Sequence, residues 1–386
     1  VPPRRCGVAE ATDWMTTAFA AAGAEVRSVA VASATAEVPW TPGLPGAERP
    51  ALRAMVGADA VVVQYRPDLY GPSDAAGDPL VRFLQRSPAP TVLVLHDVPT
   101  ATDPARRDEV ARLVRNADAV VVHSDVARRR VLALDEHPPA GVHTIPRAAV
   151  LGAPSAPPRP AGPHRPTVVT FGFLDPDKGV EDGIVALAAL DDLSSPVRYL
   201  VVGPTSTDTL ALEDEHYRSG LRILARALKV DDRVVVDGTY LPPADLARVV
   251  HDADVVLLPY VGGDVTSSAV LVEALAAGRP VVATAFPHAV ELLADGAGAL
   301  VSPGDQAATT NALRRILTRP RTAAAMRDRG AEIARRHAPG VVADRWVQLI
   351  REVRPVHDLR RPAQVEIDLT AERVEPAGRT DRRASA

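Results

Sequence analysis

Residues 253–284 read ADVVLLPYVGGDVTSSAVLVEALAAGRPVVAT. A β-branched run, Ala253 to Pro259, gives way to a Gly-rich loop with hydroxyls that ends at Ser268. Helix formers fill Ser268 to Ala277. Gly278-Arg279-Pro280 then stops the helix before a second β-branched run, Pro280 to Thr284. Strand, loop, helix and strand in that order make a β-α unit, and near-continuous apolar strands mark a parallel sheet buried on both faces.

The same alternation extends in both directions. Downstream, a short helix is expected over 288–293, a strand over 299–301, and helices over 306–318 and 321–336. Upstream, strands are expected over 167–171, 198–202 and 234–237, with helices over 179–190, 217–228 and 243–252 between them. Ala148 to Pro166 is dense in Pro, Ala and Gly and reads as a semi-rigid connector. Before it the pattern starts over. Strands are expected over 25–32, 60–65, 91–96, 119–123 and 142–145, and helices over 10–22, 104–116 and 125–133. The fold class is therefore α/β, with two Rossmann-like doubly wound parallel-sheet domains. The expected limits are 1–150 for the first domain, 151–166 for the linker and 167–340 for the second domain. A helix over 341–355 crosses back to the first half, and 356–386, charged and aperiodic, is expected to be mostly disordered. Gly7 leaves no room for a strand ahead of the first helix, so the opening strand of the first domain is expected to be missing.

The chain has 386 residues, 46% of them apolar, enough for two domains each with its own core. A formal net charge of −4 supplies no basic field for nucleic acid. No run approaches ~18 apolar residues free of charge, so no transmembrane segment is expected. Residues 1–7 lack the apolar core of a signal peptide. A single cysteine, Cys6, excludes an internal disulfide framework. With no His-x-x-x-His or Cys-x-x-Cys pattern, no structural or catalytic metal and no other cofactor is expected. Asp175-x-Asp177 and Asp252-x-Asp254 are too short to count as metal motifs. The reading is a cytoplasmic protein, with peripheral contact to the inner face of a membrane left open.

Four places could carry chemistry. Phe171 to Gly179 ends a strand, makes a loop containing Gly172, and sets Lys178 at the start of a helix. Helix N-terminal N–H groups and an ammonium together suit a phosphate. The plain alternative is a solvated loop lysine. Thr266, Ser267 and Ser268 enter the next helix as a second anion site, and Glu273 in that helix can accept both hydroxyls of a ribose. Here the alternative is an N-cap and a helical glutamate facing water. His96 stands at the carboxyl end of a strand, where open α/β sheets bind ligands. It can donate to a sugar hydroxyl, or it is structural. Gly7 is a place where backbone can approach a ligand closely.

From Thr167 to about Ala338 these segments resemble the donor domain of GT-B glycosyltransferases of the retaining family 4. TFGFLDPDKG is similar to that family's strand and loop, with Lys178 on the phosphate. VVGP is similar to its next strand end, at Gly203. ADVVLLPY and VLVEALAAGRPVVAT resemble its most recognisable block, with Glu273 on the donor ribose. More weakly, PPRRCG resembles the acceptor-side loop at Gly7, and VLHDVP places His96 where the family has an active-site histidine. The resemblance implies a GT-B enzyme that moves a hexosyl unit from a UDP- or GDP-sugar, with retention, to a saccharide, lipid or small metabolite. Catalytic roles would fall to Lys178, His96 and Glu273, and donor binding to Gly172, Lys178, Gly203, Thr266, Ser267, Ser268 and Glu273. Two departures stand out. Phe173 follows Gly172 where the family has a diphosphate-contacting arginine, and Val265 replaces a glutamate that contacts the donor sugar. They leave open a weakened or non-catalytic nucleotide-sugar-binding relative.

Overall fold

The computed structural model describes residues 7–31, 38–42, 44, 46–70, 78–100, 102–134, 141–152, 164–206 and 216–360. Two strands, β1 (Ala30–Val31) and β2 (Pro39–Trp40), form a small parallel pair. The first main sheet contains β3 (Val61–Tyr65), β4 (Thr91–Leu95), β5 (Ala119–Val122) and β6 (Val142–Thr144), all parallel and in sequence order. The second contains β7 (Thr167–Phe171), β8 (Arg198–Val202), β9 (Val234–Asp237), β10 (Val255–Leu258), β11 (Val281–Thr284) and β12 (Gly298–Val301).

Alternating apolar residues explain how each sheet is covered on both sides. In β4 and β5, Leu93, Leu95, Val120 and Val122 join one core with Phe83, Leu84, Val110 and Leu113 of the helices Pro79–Arg86 and Pro104–Asn116. Val92, Val94, Ala119 and Val121 face the other way, onto Met15 of Gly7–Ala21 and onto Val342, Trp346 and Leu349 of Pro339–Arg360. The chain's last described helix therefore packs on the first domain, with Phe19 and Trp346 meeting edge-on at 6.2 Å. In the second sheet, Val255 and Leu257 face one core and Val256 and Leu258 the other.

The strand order β12-β11-β10-β7-β8-β9 puts β8 and β9 beyond β7 on one side and β11 and β12 beyond β10 on the other. The winding direction reverses between those strands. Ligands of open α/β sheets bind at the carboxyl ends of such a switch point. The loops leaving β7 and β10 carry Gly172 to Lys178 and Tyr260 to Ser268. Two glycines let these loops pack closely. A Cβ on Gly203 would lie 2.0 Å from the Gly172 carbonyl oxygen, and one on Gly179 would lie 2.1 Å from that of Pro259.

Three expectations change. The strand expected over 25–32 shrinks to Ala30–Val31, because Glu25 and Arg27 pair with each other at the surface and no neighbour strand extends to them. The last helix is Pro339–Arg360, past the expected limit of 355. Helix Gly7–Ala21 begins at Gly7, three residues before the expected start. The missing opening strand, the centre of the linker and the tail beyond 360 lie outside the described residues.

Candidate functional site

Lys178 ends a short 3-10 turn, Pro176–Lys178, that leads into helix Val180–Ala188. Its Nζ sits 4.3 Å from the centroid of the Tyr260 ring, which belongs to the loop after β10. Burial works against the ammonium, but Tyr260, Asp175 and Asp177 outweigh it and hold its pKa above the ordinary lysine value. The group thus stays charged on the floor of the switch point. Asp175 Oδ1 and, on the neighbouring strand end, Thr205 Oγ1 are buried without hydrogen-bond partners.

Helix Ala269–Ala276 starts beside them. The three hydroxyls at its entrance have different fates. Ser268 Oγ caps the helix, accepting from Leu271 N at 3.2 Å. Thr266 is fully buried and joins the two halves: its Oγ1 donates to Asp97 Oδ1 at 3.1 Å, and its carbonyl accepts from Ser124 Oγ at 2.7 Å. Only Ser267 Oγ is left buried and unpartnered. Asp264 is likewise engaged across the halves, with Arg130. Glu291 adds a further link by accepting from Asp125 N at 3.0 Å and Val126 N at 2.8 Å. Those amides open helix Asp125–Leu132, where a carboxylate is favoured by the helix dipole.

Glu273 lies five residues past Ser268, roughly 7 Å along the helix axis. It is buried, and both its oxygens hold the connector: Oε1 accepts from Val150 N at 2.6 Å and Oε2 from Leu151 N at 3.2 Å. Burial raises its pKa to about 7 against those two bonds and Arg147. A cavity of about 380 Å³ opens beside it, lined among others by Ala149, Leu151, Val250, His251 and Arg335. Lys178 does not line that cavity. Lys178 lies in the loop after β7 and Glu273 on helix Ala269–Ala276, and the two do not wall one pocket.

His96 occupies the end of β4 with both ring nitrogens engaged. A guanidinium can only donate, so Nδ1 accepts from Arg147 Nη2 at 3.2 Å. Nε2 therefore carries the hydrogen and donates to Gln64 Oε1 at 2.6 Å. Burial, with Arg147 next, pushes the His96 pKa well below its ordinary value, so the ring is neutral. His123 lies 5.2 Å away, ring to ring. Its Nδ1 donates to the Ile145 carbonyl at 2.9 Å, and its Nε2 is a buried lone pair without a partner. Burial lowers its pKa to about 3. His288, also lowered to about 3 by burial, accepts from Ser268 N at 2.9 Å. Among the sequence candidates, Gly172, Lys178, Gly203, Thr266, Ser267 and Ser268 come together at the switch point. Glu273 lies at the connector, His96 faces from the other half, and Gly7 opens the first helix. Arg147 and His288 were missed, because only the docking of the two halves brings them together. Among the described residues, no group of three or more His, Cys, Asp or Glu could hold a metal ion.

A family model described as glycosyl transferases group 1 matches residues 165–319. The match falls on the second half of the chain, which is similar to that family. The phosphatidyl-myo-inositol mannosyltransferase of Mycobacterium leprae is 33% identical over 217 residues, which is 54% of this chain and 53% of that protein. The chain spans about half the length of the curated relatives it matches. Among solved structures, sucrose-phosphate synthase from Thermosynechococcus elongatus superposes with a TM-score of 0.67 at 20% identity, covering 91% of this chain and 94% of that one. An Anabaena protein solved with UDP-glucose superposes with a TM-score of 0.60 at 17% identity, covering 81% and 82%. These superpositions show the GT-B fold, two parallel-sheet domains facing each other.

Proposed function

We propose that the chain transfers a hexosyl unit from a nucleoside-diphosphate sugar to an acceptor with retention of configuration, as the retaining family 4 does. The observation that carries this reading is the convergence on the β7–β10 switch point of a charged, half-buried Lys178, an unpartnered Ser267 hydroxyl and the start of helix Ala269–Ala276. Each of these favours an anion. The fold neighbour that binds UDP-glucose and the relative named as a mannosyltransferase support the same class of donor. A cytoplasmic site of action goes with a soluble donor of this kind, and no described helix is long and apolar enough to cross a membrane.

In this reading the bond from the anomeric carbon to the diphosphate oxygen breaks and its electron pair leaves with the diphosphate. Lys178, Ser267 and the amide end of the helix stabilise that charge. The acceptor oxygen bonds the anomeric carbon on the same face, and its proton passes to the departing phosphate oxygen. Glu273 accepts from the ribose with the lone pairs that Val150 and Leu151 leave free. His96 and His123 face the sugar from the other domain.

Incubating the chain with UDP- and GDP-hexoses and measuring free nucleotide tests this reading. Release that accelerates with a suitable acceptor is expected. Tight binding without release supports the non-catalytic alternative that Phe173 and Val265 suggest, and no binding at all contradicts the donor site.

A further inference from the structure

Phe173 follows Gly172, so the loop after β7 offers a diphosphate only one cation, Lys178. A second buried cation lies nearby on a different element. Arg147 leaves β6 at the start of the connector, and its carbonyl accepts from His337 Nδ1 at 2.8 Å. Its Nη2 donates to His96 Nδ1 at 3.2 Å, and its Nε is buried without a partner. Glu10 and Glu273 act on it electrostatically, but among the described residues it makes no close ion pair with either. An unpaired guanidinium away from water is costly unless something anionic meets it.

The neighbours of Arg147 fix where it faces. It acts electrostatically on His288, which accepts from the first amide of the Ser268 end, and on Glu273, one and a half turns further along the same helix. It acts equally on His96 and His123 at the strand ends of the other domain and on Glu10 of the first helix. Three and four residues further along the connector, the Val150 and Leu151 amides bond Glu273, which sets Arg147 beside the stretch of helix between Ser268 and Glu273. On the reading above, that stretch runs from diphosphate to ribose. The Gln64–His96 chain fixes the guanidinium's orientation, since His96 can accept only at Nδ1.

We propose that Arg147 binds the nucleoside diphosphate from the connector side, supplying the cation that the loop after β7 lacks. This rests on the donor site proposed above. A planar guanidinium presents paired donors that match two phosphate oxygens, which a lysine ammonium cannot do. His96 then acts as a positioning residue for Arg147 as well as a group facing the sugar.

Calorimetric titration of the whole chain with UDP, GDP, uridine and guanosine tests the proposal, using wild type, Arg147→Ala, Arg147→Lys and Lys178→Ala. The nucleotide that binds wild type should bind Arg147→Ala about 10- to 100-fold more weakly, the range expected for one charge-assisted contact. Its nucleoside should bind both alike, and Arg147→Lys should recover part of the loss. Equal nucleotide affinity in Arg147→Ala and wild type, with Lys178→Ala weakened, overturns the role of Arg147 and leaves the donor site standing. Parallel loss for nucleotide and nucleoside also overturns it, because it marks a role in shape alone. If neither diphosphate binds wild type, the donor site itself fails and Arg147 with it. Thermal melting of Arg147→Ala and Arg147→Lys checks that the comparison is made on folded protein.

Discussion

Lys178→Ala lowers kcat for nucleotide release by about 10²–10³-fold, the loss typical of removing one preorganised charge-stabilising group. The size follows from the setting of the residue. Its ammonium is half-buried over Tyr260, with Asp175 and Asp177 near enough to keep it charged. Charge developing on a leaving diphosphate is stabilised most by a group that is already in place. The substrate carries part of that charge before reaction, so donor affinity should fall less than kcat. Lys178→Arg should not restore the rate, because the wider guanidinium cannot take the ammonium's place against the Tyr260 ring. Steady-state kinetics on nucleotide release measure both.

Glu273 gives the second large effect, on stability. Its folded pKa of about 7 lies above the ordinary value of 4.5 because burial resists its ionisation. A raised carboxyl contributes stability that is fully present below pH 4.5 and is lost as pH rises through 7. Across that window the loss is on the order of 3 kcal/mol. Urea denaturation at pH 5 and pH 8 should show it in wild type. Glu273→Gln, which keeps an oxygen for one of the two connector amides but cannot ionise, should flatten the dependence. Equal pH dependence in both proteins contradicts the assignment. The consequence is functional as well as structural, because Val150 and Leu151 belong to the segment between the domains. A carboxylate that grips both the connector and a ribose couples donor binding to hinge position.

The sheets were legible in the sequence wherever β-branched residues ran unbroken. Thr91 to Leu95, Thr167 to Phe171 and Val255 to Leu258 are buried throughout, and local composition alone marks them. Glu25 to Val29 looked similar but alternates with charge, and a strand needs a partner that local sequence does not reveal. Lys178 and Ser268 were legible because a strand, a loop and a helix start place them without reference to the rest of the chain. The role of Thr266 was not, because its hydroxyl is taken by Asp97, 169 positions away. Arg147, His288 and His337 were invisible for the same reason. The composition holds one further signal. Lys178 and Lys229 are the only lysines in a chain with 44 basic residues, so a compact ammonium at 178 stands out in a composition that otherwise uses arginine.

That scarcity makes a direct measurement simple. Limited acetylation followed by peptide mass spectrometry reads Lys178 against Lys229, which is exposed and serves as the internal control. With saturating UDP or GDP, whichever calorimetry shows to bind, acetylation of Lys178 should slow sharply while that of Lys229 is unchanged. Equal acetylation of Lys178 with and without bound nucleotide would contradict a diphosphate seated on that ammonium.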